Sequence, residues 1–166
     1  MRETTGMLER PGGARLAWRR IDGAGPTVVW MGGFRSDMAG TKAEALARWA
    51  AERGRAYVRF DYFGHGESEG DFRDGTITRW REDALAVLDE LAPGPVIPVG
   101  SSMGGWIACL CAMVRSDRIA GLVLVAPAPD FTEKLMGPEI APAARPRPEE
   151  TGVWMRPSHD GEPDLI

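Results

Sequence analysis

Apolar and polar positions follow a strand-then-helix rhythm from about residue 15 to residue 126, the signature of βαβ units and a mostly parallel sheet. Residues 14–21 read as an edge strand ending in the turn Asp22-Gly23-Ala24-Gly25-Pro26. Thr27-Val28-Val29-Trp30-Met31 is a continuous apolar run, as expected of a strand covered on both faces. Thr41-Lys42-Ala43-Glu44 has the form of a capping box, opening a helix to about Arg53 with Gly54 as its stop. Leu46, Trp49, Ala50 and Arg53 fall on one side of that helix. Residues 56–60 form the next strand, and a second helix over 76–91 carries the stripe Trp80, Ala84, Val87, Leu88 and Leu91.

Residues 96–99 lead as a strand into a helix over about 103–115 that is apolar on most sides, and 120–126 is a further buried strand. Pro98 cannot donate to a ladder, so its strand should lose a hydrogen bond or carry a bulge there. After Ala126 the texture changes: eight of the thirteen prolines lie between Pro127 and Pro163, and only residues 130–136 suit a short helix. The division expected is 1–126 as the α/β core and 127–166 as the start of a proline-rich cap or lid region.

Composition narrows the classes. The chain has 166 residues, 43% hydrophobic and 27% charged, enough for one domain with a real core. A net charge of −4 gives no reason to expect nucleic acid or an anionic membrane as partner. No apolar run approaches the ~20 residues of a membrane span. Cys109 and Cys111 read as small buried apolar residues, with no ligand cluster to make them a metal site. Residues 1–6 lack the apolar core of a signal peptide, which points to the cytoplasm.

The chemistry is concentrated at Gly100-Ser101-Ser102-Met103-Gly104, a G-x-S-x-G pentapeptide between a strand and a helix. That setting forces Ser102 out of both elements and exposes its hydroxyl as a nucleophile, while Gly100 and Gly104 let the two backbones crowd past each other. Acyl transfer also needs donors for the developing oxyanion. Met103 N–H supplies one, at a helix N-terminus. The loop Gly32-Gly33-Phe34-Arg35-Ser36 supplies the other, with Phe34 N–H favoured over Gly33 N–H. His65 precedes the nucleophile, against the Ser-acid-His order of this fold, and reads as structural, its ring hydrogen-bonded to shape its own loop. His159 sits in a polar turn without a preceding buried strand. Asp130 could be an acid by position, but reads better as the N-cap of the short helix. No G-x-G-x-x-G follows the first strand, which argues against a dinucleotide-binding fold.

Four segments carry a resemblance: residues 33–43 from Gly33-Phe34 to Lys42-Ala43, residues 59–68 from Arg59-Phe60-Asp61 to Glu67-Ser68, the elbow through Gly105-Trp106, and Gly152-Val153-Trp154 with Pro157-Ser158. Together they resemble the abhydrolase-domain 10 group of palmitoyl-protein thioesterases and acyl-glucuronide esterases, within the α/β-hydrolase superfamily. The resemblance implies an α/β-hydrolase fold and a Ser-Asp-His hydrolase of carboxylic esters or thioesters, with no metal or organic cofactor. Ser102 carries over as nucleophile, and Met103 and Phe34 as oxyanion donors. Members of the group place the Asp and His after two further strands, which have no matching positions here. The expectation is therefore an impaired hydrolase, with the strand at 120–126 left as an apolar edge prone to self-association. The alternative is a non-catalytic, truncated domain that binds acyl ligands or a partner chain; an acyltransferase or perhydrolase is the runner-up among enzymes.

Overall fold

The computed structural model describes residues 3–136 and the pairing of residues 155–156 with 164–165. The chain divides into two compact units, Met1–Pro129 and Asp130–Ile166. The first holds β1 (Glu3–Glu9), β2 (Arg15–Ile21), β3 (Ala24–Met31), α1 (Thr41–Arg53), β4 (Arg55–Phe60), α2 (Ile77–Leu91), β5 (Val96–Ser101), α3 (Met103–Val114) and β6 (Val123–Val125). In the second, Thr132–Met136 form a π-helical turn, and β7 (Met155–Arg156) pairs antiparallel with β8 (Asp164–Leu165).

Among the described residues the six strands of the first unit form one sheet in the order β1-β2-β4-β3-β5-β6. β1, β2 and β4 pair antiparallel, while β4, β3, β5 and β6 run parallel. The pleat sends alternate side chains to opposite faces. Ile21, Val28, Trp30, Tyr57 and Val99 meet Ala43, Ala47 and Ala50 of α1 on one face. α3 lies on the other, packed against β5 and α2. This is the α/β-hydrolase fold, with helices on both faces of a mostly parallel sheet.

The sequence pattern misses β1. Its residues are mostly polar and only Leu8 is buried, so no alternation marks it. β2 is therefore an inner strand and not the edge. β3 begins at Ala24, shortening the preceding turn, and its register against β4 shifts between Ala24 and Val28, around Pro26. The capping box does not form: Gly40 is the N-cap of α1, without a side-chain bond, and Glu44 turns instead to Arg59. The buried face of α1 is Ala43, Ala47 and Ala50, while Trp49 is 40% exposed. Gly54 ends the helix in the left-handed region (φ 64°), as predicted. α2 is capped by the Thr76 side chain, which accepts from Arg79 N, and its stripe buries Trp80, Ala84, Val87 and Leu88.

Pro98 lies where its chemistry requires. Val96 bridges Ile119, and the β5–β6 ladder resumes at Val99 opposite Val123. The outer chain thus spends one more residue than β5 over that interval, and the bulge sits beside the missing N–H. β6 itself is only three residues long, and Val123, Leu124 and Val125 are all exposed.

Candidate active site

At the β5–α3 junction Ser102 has φ 55° and ψ −121°, a backbone that an L-residue adopts only under constraint. The constraint is visible. Ser102 N donates to the Val125 carbonyl (3.0 Å), and Ser102 O accepts from Gly105 N (2.9 Å), Trp106 N (3.3 Å) and Ala128 N (3.1 Å). The glycines permit the close approach: a Cβ on Gly100 would overlap the Gly104 carbonyl, and one on Gly104 would overlap the Met31 and Gly32 carbonyls. Ser102 is left exposed above the end of the sheet.

Met103 is the first residue of α3, so its N–H has no partner within the helix and adds to the positive end of the helix dipole. The loop after β3 runs alongside. A Cβ on Gly33 would stand 3.5 Å from Ser102 Cβ, which puts this loop in contact with the elbow. Ser36 Oγ donates to the Gly33 carbonyl (2.8 Å), closing the turn. The Phe34 ring packs edge-on against Phe72 (5.0 Å between centroids) and Trp80 (6.1 Å). Phe34 and Ser102 line one cavity of about 270 Å³, together with Trp30, Ser36, Thr41 and Lys42. Trp30 Nε1 is buried and has no hydrogen-bond partner among the described residues.

The loop after β4 braces the one after β3. Asp61 is buried; its Oδ1 accepts from Met38 N (2.7 Å) and its Oδ2 from Glu67 N (2.8 Å). Burial pushes its carboxyl up to about 6, against the pull of those two amides. His65 Nδ1 lies 3.1 Å from the Phe63 carbonyl, which can only accept, so Nδ1 carries the proton. His65 Nε2 then accepts from Arg35 N at 3.3 Å. Both ring nitrogens are engaged, which is the structural role expected of this residue. Burial holds its protonation below the ordinary value. Trp80 Nε1 also donates to the Phe63 carbonyl (3.0 Å), and Asp83 Oδ2 accepts from Phe63 N (2.9 Å).

Sequence reasoning missed Asp61 and Asp83 as braces. Asp83 left a signal, standing three residues after Trp80 beside the apolar stripe of α2, where a carboxylate must find donors. Asp130 is corrected: its carboxylate pairs with Lys134 Nζ (2.9 Å), and its main-chain carbonyl, not its side chain, accepts from Glu133 N and Lys134 N. Cys109 and Cys111 are free thiols, and burial pushes the Cys111 thiol up to about 12. His159 lies outside the described residues. Among the described residues no cluster of three metal-ligating side chains occurs, and no helix is long and apolar enough to cross a membrane.

The model of the alpha/beta hydrolase family matches residues 28–165. The mitochondrial palmitoyl-protein thioesterase ABHD10 of Bos taurus is 39% identical over 155 residues, covering 93% of this chain and 50% of that protein. The chain thus spans about half the length of the curated relatives it matches. A crystal structure from Agrobacterium vitis S4 superposes with a TM-score of 0.89 at 41% identity, covering all of this chain and 69% of that one. Alpha/beta hydrolase domain-containing protein 10 from mouse gives 0.83 at 33% identity, covering 95% and 62%. The cytoplasmic expectation is overturned by the Bos taurus relative, whose name places it in mitochondria. Cellular addresses are read by receptors from short signals of several kinds, and the missing apolar core in residues 1–6 bears on only one of them.

Proposed function

Since the chain belongs to the alpha/beta hydrolase family, we propose that it carries the nucleophile and oxyanion hole of a serine hydrolase that cleaves thioesters or carboxylic esters through an acyl-Ser102 intermediate. One observation carries this reading: Ser102 is held at φ 55° on the elbow, over a cavity that it shares with Phe34. Ser102 Oγ attacks the acyl carbonyl carbon and gives its proton to a base, and the carbonyl oxygen becomes an oxyanion between the Met103 and Phe34 amides. Collapse of that intermediate expels the thiol or alcohol, which takes up the proton. Water then attacks the acyl-Ser102 carbonyl, releasing the acid and restoring the hydroxyl.

Thioesters come first because the Bos taurus relative is a palmitoyl-protein thioesterase. Among the described residues His65 is the one histidine, and its ring is committed to Phe63 and Arg35, so the base is not among them. The 166-residue chain is expected to react with a fluorophosphonate probe at Ser102 alone, and not at all after Ser102→Ala. Intact-protein mass with peptide mapping checks this. Modification elsewhere, or labelling undiminished in the variant, would overturn the assignment.

A further inference from the structure

Two side chains from the loop after β4 reach the loop after β3, and they grip it at different points. Asp61 takes Met38 N at its far end, while His65 takes Arg35 N, the amide next to that of Phe34. We infer that His65 is a positioning residue for the oxyanion loop, holding the Arg35 amide, and with it the adjoining Phe34 amide, only while its ring is neutral. The inference rests on the proposed role of Phe34 for its catalytic meaning, but not for its geometry.

Arg35 is the reason such a hold is needed. Its φ of 56° is costly for a side chain of this size and persists only where neighbours over-determine it. His65 Nε2 supplies an acceptor aimed at that residue's own amide, at 3.3 Å. The ring cannot turn aside. Nδ1 is fixed on the Phe63 carbonyl, which Trp80 Nε1 fixes in turn, and the ring stands edge-on to Tyr62 (5.8 Å), Phe72 (5.1 Å) and Trp80 (5.1 Å). The orientation of the imidazole is therefore set before the oxyanion loop meets it.

A proton on Nε2 would place a donor against a donor and remove the hold. The Phe63 carbonyl, holding Nδ1–H, favours the charged ring, but the influences that oppose the proton outweigh it. The Arg35 guanidinium, which lies over the Phe72 ring at 5.0 Å, opposes it, as does burial. Of the neighbouring carboxylates, Asp61 has both oxygens on the Met38 and Glu67 amides, and Asp83, from α2, is spent on Phe63 N and Arg10. The Tyr62 phenol is fully buried and stays neutral. Neutral His65 thus prevails at its ordinary value of 6.5 and above, and the hold is lost only below it.

The test follows the full chain by nitrogen-resolved NMR through an acid titration, beside a fluorophosphonate labelling rate for Ser102. The expected result is an Nδ1–H tautomer at pH 8, with the His65 ring nitrogens and the Arg35 amide moving together through one midpoint below 6.5. His65→Phe should keep the ring packing but expose the Arg35 amide to exchange about tenfold faster, the loss of one modest hydrogen bond. It should also label Ser102 about tenfold more slowly at every pH. His65→Gln, which can still accept from Arg35 N, should restore both and abolish their acid dependence. If His65→Phe fails to fold, the native titration and the Gln variant decide. An Arg35 amide indifferent to the titration would overturn the inference, as would a labelling rate that ignores the shared midpoint. A Ser102 that labels at no pH would sink the hydrolase reading, while the Arg35 amide would still settle the role of His65.

Discussion

A methyl group on Gly104 would overlap the carbonyl oxygens of Met31 and Gly32, main-chain atoms at the end of a central strand that cannot step aside. Gly104→Ala should therefore cost roughly 1–3 kcal/mol or more, lowering the melting temperature by several degrees in calorimetry. Asp61 makes a subtler statement. Its carboxyl is raised from 3.8 to about 6, so between those values the folded state holds more protons than the unfolded one. Its contribution to stability accordingly falls as pH rises through that window. Asp61→Asn does not titrate, so denaturant unfolding should find it more destabilising, relative to the native sequence, at pH 4 than at pH 7. An equal penalty at both would show that the two amides fully offset burial, and a larger one at pH 7 that they outweigh it. The nucleophile was legible from its neighbours because glycine at both ends of a strand-to-helix turn has few other uses. Asp61 was legible only as part of a motif, since nothing local says that Met38, twenty-three positions away, will donate to it.

Arg59 joins elements that sequence keeps apart. It is 2% exposed and reaches Glu3 on β1 through two bonds (2.9 and 2.8 Å), Glu44 on α1 (2.5 Å), and the Met38 carbonyl (3.0 Å). Arg59→Ala should destabilise by roughly 3 kcal/mol, the lower end for a broken buried pair, because Glu3 and Glu44 keep a path to water. It should also speed amide exchange along β1 before the rest of the sheet. The strands and helices from β3 to α3 could be read because burial on one or both faces imprints a period on the sequence. β1 could not, since an edge strand held partly by an ion pair needs no apolar alternation. The face of α1 was misjudged for a related reason: where a helix lies close on a sheet, alanines fill the contact and the large Trp49 is turned outward.

Across the molecule the two margins of the sheet differ in kind. β1 is polar and short of apolar side chains, whereas β6 presents Val123, Leu124 and Val125, each at least 36% exposed. An apolar outer strand invites pairing. Light scattering of the 166-residue chain should accordingly show apparent mass rising with concentration, and Val123→Lys should suppress the rise without lowering the melting temperature. A concentration-independent monomer would count against this expectation. The same margin bears on the nucleophile. Ser102 is tied through its main chain to Val125 and Ala128, residues that leave the ribosome after the whole elbow has been made. A nascent chain extending only to β5 and α3 would possess the pentapeptide and the Gly105 and Trp106 bonds, but neither the Val125 nor the Ala128 tie that helps hold its serine at φ 55°. The reactive centre is therefore completed only once β6 and Ala128 have followed the elbow out of the ribosome, and a chain that stops before them carries a quiet serine.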